Sequence, residues 1–239
     1  MADIVKVNWS GGKDSTCATM LHLNRGDTVK VVCYIPMFTD TIPLLLKDHY
    51  QFILGTAERF RSLGADVHIV SGMTYWDLVT HRKTKGKNKG MIMGFPPPIT
   101  GMCTFKGYSK KLALDKCNVG YYDYQDIGIA ADEINRLGQL TETKRSILAE
   151  SGYTEKDATN YCRRNELLSP HYTYDTRDGC ALCYNAKPSR REAWYKDYPE
   201  ARGLLIELQN IVKKECPPHH TPLRNGEWFI DTDQITFFD

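Results

Sequence analysis

The segment "IVKVNWSGGKDST", Ile4 to Thr16, restricts this chain more than any other. Its first half, rich in β-branched residues, reads as a strand. The strand ends in Ser10-Gly11-Gly12, side chains too small to pack against anything. Lys13, Asp14, Ser15 and Thr16 follow in a row, before apolar residues resume at helical spacing with Cys17, Met20 and Leu21. A glycine turn between a strand and a helix brings several backbone N–H groups to one point, and the helix adds the positive end of its dipole. Lys13 contributes a full charge, and the hydroxyls of Ser10, Ser15 and Thr16 contribute donors. Such a nest selects phosphate or pyrophosphate. It is not a Walker A loop, because Asp14 follows the lysine where that loop needs Ser or Thr, and its first glycine is absent.

The same alternation continues downstream. Residues 29–35 and 66–70 read as strands, and a fourth is expected within 121–130. Helical patterns lie between them. One ends at Gly26; a second is opened by Pro43 and closed by Gly64. Strands alternating with helices predict an α/β fold, a Rossmann-like and mostly parallel sheet with helices on both faces. "HRKTKGKNKGMIMGFPPP", residues 81–98, is basic and then rich in Gly and Pro, and reads as a long mobile loop of the kind found at binding sites. From about residue 141 the strand pattern stops. Thr154 with Asp157 predicts a helix over 155–165, and 189–213 supplies further helices broken near Pro199. The expected organisation is a nucleotide-binding α/β domain over 1–140 and a helical, cysteine-bearing region over 141–239.

Composition narrows the partners. With 31 basic and 29 acidic side chains the net charge is +2, so no global field demands nucleic acid or a membrane surface. The N-terminal residues lack the layout of a signal peptide, and no apolar run reaches membrane-spanning length. A cytoplasmic protein with no membrane partner is expected. Eight cysteines would form a disulfide framework only in a small secreted chain; here Cys17 and Cys33, in apolar segments, read as buried small hydrophobes.

"SGGKDST" resembles the pyrophosphate-binding loop of the PP-loop ATP pyrophosphatase superfamily. "GFPPPITGMCTFK" (94–106), "IGIAADEINRL" (127–137) and "GCALCYNAK" (179–187) resemble segments of one branch, the phosphoadenylyl-sulfate (PAPS) reductase-like proteins, in the same order. The resemblance implies a HUP-type sheet that binds ATP with Mg²⁺ at the carboxyl ends of its strands. Ser10, Gly11, Gly12, Lys13, Asp14, Ser15 and Thr16 would hold the β- and γ-phosphates, and the stretch from Tyr34 to Thr39 would lie near adenine and ribose. The implied reaction is attack of an acceptor oxygen on the α-phosphorus, with pyrophosphate leaving into the loop. Fixed donors and charge serve such a step better than a covalent nucleophile. Lys13 would stabilise the leaving group, and Asp14 would hold Mg²⁺, with Asp132 or Glu133 as further carboxylates. Lys106 would face the acceptor, with Arg136 either sharing that task or standing as a helix-surface arginine. The acceptor would be an anionic small molecule or a nucleic-acid-linked group.

Two other functions fit the same residues. A sulfonucleotide reductase would use a C-terminal thiolate, and "KKECPPHH" offers Cys216 between cations and histidines. However, Pro217 stands where such enzymes carry glycine, and the loop retains its lysine and aspartate. A non-catalytic nucleotide- and metal-binding subunit of a DNA-modification or sulfur-transfer assembly is the third reading.

Cys180-x-x-Cys183 places two sulfurs within reach of one ion. The family pattern adds Cys103 and Cys162 as the remaining ligands, with His171 as a substitute. Four thiolates suit zinc and a [4Fe–4S] cluster equally. Two buried thiols in a tight turn is the plainer alternative. Lys83, Lys85, Lys87 and Lys89, with Arg82, form either a solvated loop or one that closes over an anionic substrate. Trp194, Tyr195 and Tyr198 at helical spacing form either core or a homodimer face.

Overall fold

The computed structural model describes residues 2–97, 103–173, 175, 179–216, 221–223 and 226–231. Pro98–Met102 of the "GFPPPITGMCTFK" segment, and Pro217 with the histidines at 219 and 220 beyond Cys216, lie outside the described residues. Along the described chain run β1 (Ile4–Trp9), α1 (Lys13–Arg25), β2 (Thr28–Tyr34), α2 (Lys47–Ser62), β3 (Asp66–Val70) and α3 (Tyr75–Thr80). A π-helical stretch, Lys106–Lys111, leads into α4 (Leu112–Lys116), then β4 (Tyr124–Asp126), α5 (Ile134–Leu137), β5 (Lys144–Arg145) and α6 (Ile147–Glu150). The remaining helices are α7 (Glu155–Arg164), α8 (Pro188–Asp197) and α9 (Pro199–Glu215).

These elements form two compact units, each assembled from three stretches of chain. The first comprises Met1–Tyr34, Lys47–Val70 and Leu114–Asp178; the second comprises Ile35–Leu46, Ser71–Ala113 and Gly179–Asp239. The stretches expected as domains over 1–140 and 141–239 each contribute to both units. The reason is strand pairing: β4 adds beside β1, so the chain returns to the sheet after residue 113 and stays through α7.

The first unit holds one sheet of order β3-β2-β1-β4-β5, parallel throughout. It is an α/β, Rossmann-like arrangement flanked by helices. Val5, Val7, Val29, Val31, Val32 and Cys33 are all at most 1% exposed, as near-continuous apolar strands of a covered parallel sheet require. The order reverses at β1, which has β2 on one side and β4 on the other. In open α/β sheets the crevice at the carboxyl ends beside such a reversal is where ligands bind. Here that point carries Ser10–Gly12 after β1 and the segment from Ile127 after β4.

Three local expectations need amendment. Strand β5 lies beyond residue 141, but at two residues it is too short to show any alternation. The helix expected from Pro43 begins at Lys47, because Leu44 and Leu46 are buried in the second unit's core and Leu44 N–H donates to the Pro36 carbonyl. The segment after His81 is a paired hairpin: Arg82 bridges Ile92, Lys83 N–H donates to the Met91 carbonyl and Met93 N–H to that of His81. The α7 prediction holds in detail, with Thr154 and Asp157 forming a reciprocal capping box.

The second unit closes around Phe38, Leu44, Tyr75, Phe95, Trp194, Leu205 and Leu208. Trp194 is fully buried; its ring meets Phe38 edge-on at 5.4 Å and its indole N–H donates to the Pro43 carbonyl at 2.8 Å. Trp194 and Tyr195 therefore belong to the core.

Candidate functional site

The turn after β1 is built so that only glycine fits its middle. Gly11 sits at φ +78°, a left-handed conformation, and a Cβ there would come within 2.6 Å of Ile53 Cγ1 on α2 and 3.0 Å of His49 Cε1. Gly12 is the N-cap of α1 and brings no side chain to the first helical N–H groups. Thr74, Ser146 and Thr154 do supply such a bond at α3, α6 and α7.

Hydroxyl oxygens meet the turn instead. Gly12 N–H donates to Ser10 Oγ at 3.3 Å, Ser10 N–H to Ser15 Oγ at 3.2 Å, and Lys13 N–H to Tyr172 Oη at 3.2 Å. These lengths are at the long end for N–H···O bonds. Ser15 in turn donates to the Gly12 carbonyl.

Lys13 carries the strongest local charge. Its ammonium lies 2.8 and 2.9 Å from the two Asp14 oxygens and 3.0 Å from Glu155 Oε1. Burial alone would lower the Lys13 pKa, but Asp14 and Glu155 outweigh it and hold the ammonium above the usual lysine value. Burial also raises the Asp14 carboxyl above its usual value; Lys13 opposes that shift, while Glu155 and Glu133 add to it. One lysine thus stands among three carboxylates, a balance that an incoming polyanion would reverse by attracting the cation and repelling the acids.

The segment after β4 closes the other side. A Cβ on Gly128 would lie 2.7 Å from the Ser15 nitrogen and 3.0 Å from the Asp14 carbonyl carbon, so this strand end rests directly on the first turn of α1. Asp132 accepts from Glu155 N–H at the start of α7, and Glu133 accepts from Ala130 N–H and pairs with Arg136. Of the two carboxylates offered as magnesium ligands, Asp132 is thus committed to a helix start and Glu133 is the one that bears on Asp14.

Other expected residues have surroundings of their own. Thr16 is 0% exposed and its hydroxyl accepts from the Trp9 indole N–H at 2.8 Å, which places it in the core beneath the turn. Tyr34 closes β2 in the first unit. Thr39 belongs to the second unit, where it lines a cleft of about 310 Å³ with Asp40, Thr74, Trp76, Asp77 and Glu207. Lys106 is exposed at the first position of the π-helical stretch, also in the second unit.

The four cysteines divide between the two units. Cys162 is buried in the first unit and its thiol donates to the Lys13 carbonyl at 3.2 Å, so it buttresses the loop. Burial, with Asp14 adding, pushes that thiol up to about 12. Cys103, Cys180 and Cys183 belong to the second unit, where all three act on the buried phenol of Tyr75. Burial and then the Cys183 and Cys103 thiols push Cys180 up to about 12. Among the described residues, no group of three or more His, Cys, Asp or Glu is arranged to hold a metal ion. No chemical step is derived through zinc or a cluster. Cys216, the alternative nucleophile, donates its thiol to the Ile92 carbonyl at 3.6 Å, and burial raises its pKa despite Lys83 nearby. Neither feature favours a thiolate.

His49, Ser169, Tyr172 and Glu155 join the site from positions no motif marked, and His171, expected only as a substitute metal ligand, lies with them. His49 Nδ1 is 2.8 Å from Ser169 Oγ, and its ring lies 5.4 Å from that of His171.

The chain matches no known protein-family model and no curated protein. No helix among the described residues is long and apolar enough to cross a membrane.

Proposed function

We propose that the first unit binds ATP through a HUP-type, PP-loop site, and that the enzyme transfers the adenylyl group to an acceptor with release of pyrophosphate. The supporting observation is the Ser10–Ser15 turn at the reversal point of a parallel sheet, sterically closed to any side chain at Gly11 and bonded to long-distance hydroxyl oxygens. Phosphate oxygens are stronger acceptors than hydroxyls, so they replace Ser10 Oγ and Tyr172 Oη at the Gly12 and Lys13 N–H groups. The helix dipole and Lys13 then face the β- and γ-phosphates, where charge accumulates as the bond to the α-phosphorus breaks.

Each residue has a stated task in this reading. Lys13 moves from Asp14 and Glu155 to the leaving pyrophosphate. Asp14, relieved of its lysine, orients the magnesium ion that enters as part of the nucleotide. Cys162 and Tyr172 hold the loop's backbone in place from α7 and the segment after it.

Titration calorimetry with MgATP, together with a pyrophosphate-release assay over a panel of acceptors, tests the proposal. Micromolar-to-millimolar binding to the wild type is expected. In Lys13→Ala, pyrophosphate release falls by about 100-fold or more, the scale of removing one transition-state donor. Absence of heat with MgATP up to several millimolar would overturn it.

A further inference from the structure

We propose that the hairpin 81–93 and the last turn of α9 form one cationic face of the second unit, which binds the phosphate backbone of nucleic acid without reading its sequence. This inference is independent of the nucleotide site in the first unit.

Residues 81–93 contain Arg82, Lys83, Lys85, Lys87 and Lys89 and no acidic residue. The base of the hairpin is anchored. Ile92 is 2% exposed, Gly90 N–H donates to the Lys83 carbonyl at 2.8 Å, and Arg82 Nη1 donates to the Gly90 carbonyl at 2.8 Å. Its tip is turned by Gly86 and Gly90, at φ +82° and +87°, and presents Lys85, Lys87 and Lys89 to solvent. Among the described residues, the four hairpin lysines make no ion pair.

Tertiary structure then brings in cations from more than a hundred residues away. Arg82 Nη2 pairs with Glu215 at 2.7 Å, and the Cys216 thiol donates to the Ile92 carbonyl, so the hairpin is fastened to the C-terminal end of α9. Lys213 and Lys214 are exposed there, and Lys213 Nζ stands 5.2 Å over the ring of Trp228. Glu215 at this junction is paired with Arg82. Lys83, Lys85, Lys87, Lys89 and Lys214 gather on a face of a chain whose net charge is only +2, so the rest of the molecule is acidic on balance. Lys213 and Lys214 also complement the helix dipole, which is their ordinary use. The hairpin lysines have no such task.

Chemistry selects the partner. Lysines are compact point charges without arginine's bidentate fork, which suits phosphates along a backbone more than base edges. Anionic membranes are less well matched, because a surface-binding element needs apolar side chains to insert and the tip, Lys85–Lys89, has none.

Fluorescence anisotropy of the full chain with a labelled 20-nucleotide single strand and the same sequence as duplex, from 50 to 200 mM salt, tests this. Binding should weaken with salt at a log–log slope of about −3 to −5, as expected for four to six phosphates. Substituting Lys85, Lys87 and Lys89 with Gln should reduce the slope by roughly 2–3 and the affinity at 100 mM salt more than tenfold. The Arg triple variant should restore both, separating charge from any effect on folding. The charge-matched control Lys116→Gln, Lys144→Gln and Lys196→Gln should bind like wild type. No anisotropy change at 50 mM salt, equal loss in the control, or capture by phosphatidylserine vesicles without binding to either nucleic acid would each overturn the proposal.

Discussion

Gly128 lies against the backbone of Ser15 so closely that a single methyl group would sit 2.7 Å from the Ser15 nitrogen. Two segments more than a hundred residues apart thus meet without any side chain between them, at the point where the sheet order reverses. Gly128→Ala should force the first turn of α1 away from β4. Overpacking of this kind costs about 1–3 kcal/mol. MgATP affinity should fall at least tenfold, because the displaced N–H groups are the proposed ligands. Urea unfolding and calorimetry on the same variant check both; wild-type affinity would show that the contact does not shape the site.

Thr16 separates a structural role from a binding one. Thr16→Val keeps the shape of the side chain but leaves the Trp9 indole N–H buried without its partner, a loss of about 1–3 kcal/mol. Stability measured by urea unfolding should drop by that amount, while MgATP affinity, corrected for the folded fraction, stays within about twofold of wild type. A large selective loss of affinity would return Thr16 to the phosphate site.

Glu155 competes for Lys13. Its side chain is 52% exposed, so Glu155→Gln should leave stability nearly unchanged. Nucleotide affinity at low salt should rise by about 2–5-fold, reflecting the weak surface pair that no longer opposes transfer of the ammonium. The gain should fade above 0.5 M salt as screening removes the pair in wild type as well. A titration series at two salt concentrations reads it directly.

Acid stability should depend on Asp27. Burial would raise this carboxyl, but Arg25, His22 and the Asp3 N–H together hold it below its usual 3.8. The unfolded chain therefore binds a proton that the folded chain does not. The stabilisation is fully present above about pH 4 and is lost as pH falls through the lowered value. Asp14 has the opposite sign: its raised carboxyl makes its ionisation unfavourable to folding, so its contribution is present below 3.8 and lost as pH rises through the folded value. Asp27→Asn should lose roughly 1–3 kcal/mol at pH 7 and flatten the acid limb. Asp14→Asn should keep or raise the neutral-pH midpoint while abolishing pyrophosphate release. Circular-dichroism melts from pH 3 to 7 decide both.

Local pattern carried the strands, because parallel strands are spelled as short β-branched runs, and Ile4–Trp9 and Asp66–Val70 are met residue for residue. The capping box at Thr154 was equally visible, being a four-residue interaction. By contrast, Leu44 and Leu46 look helical in isolation and are claimed by a distant core. The buried His22, with Asp27 at 2.7 Å and Asp126 at 3.1 Å, had no sequence signature at all, since Asp126 joins it across 104 residues.

The Ser-Gly-Gly-Lys-Asp run by itself determined that a strand ends, the backbone turns tightly and a helix begins with polar side chains, because these are consequences of bonds and sterics within a few residues. Only the tertiary structure decided which residues surround that turn. It brought Gly128 and Glu155 to Lys13 and Ser15, moved Thr16 into the core, set Cys162 behind the loop and joined Glu215 to the hairpin. Such neighbours are chosen by strand order and core burial, which act between residues far apart in the chain and leave no periodic trace in it.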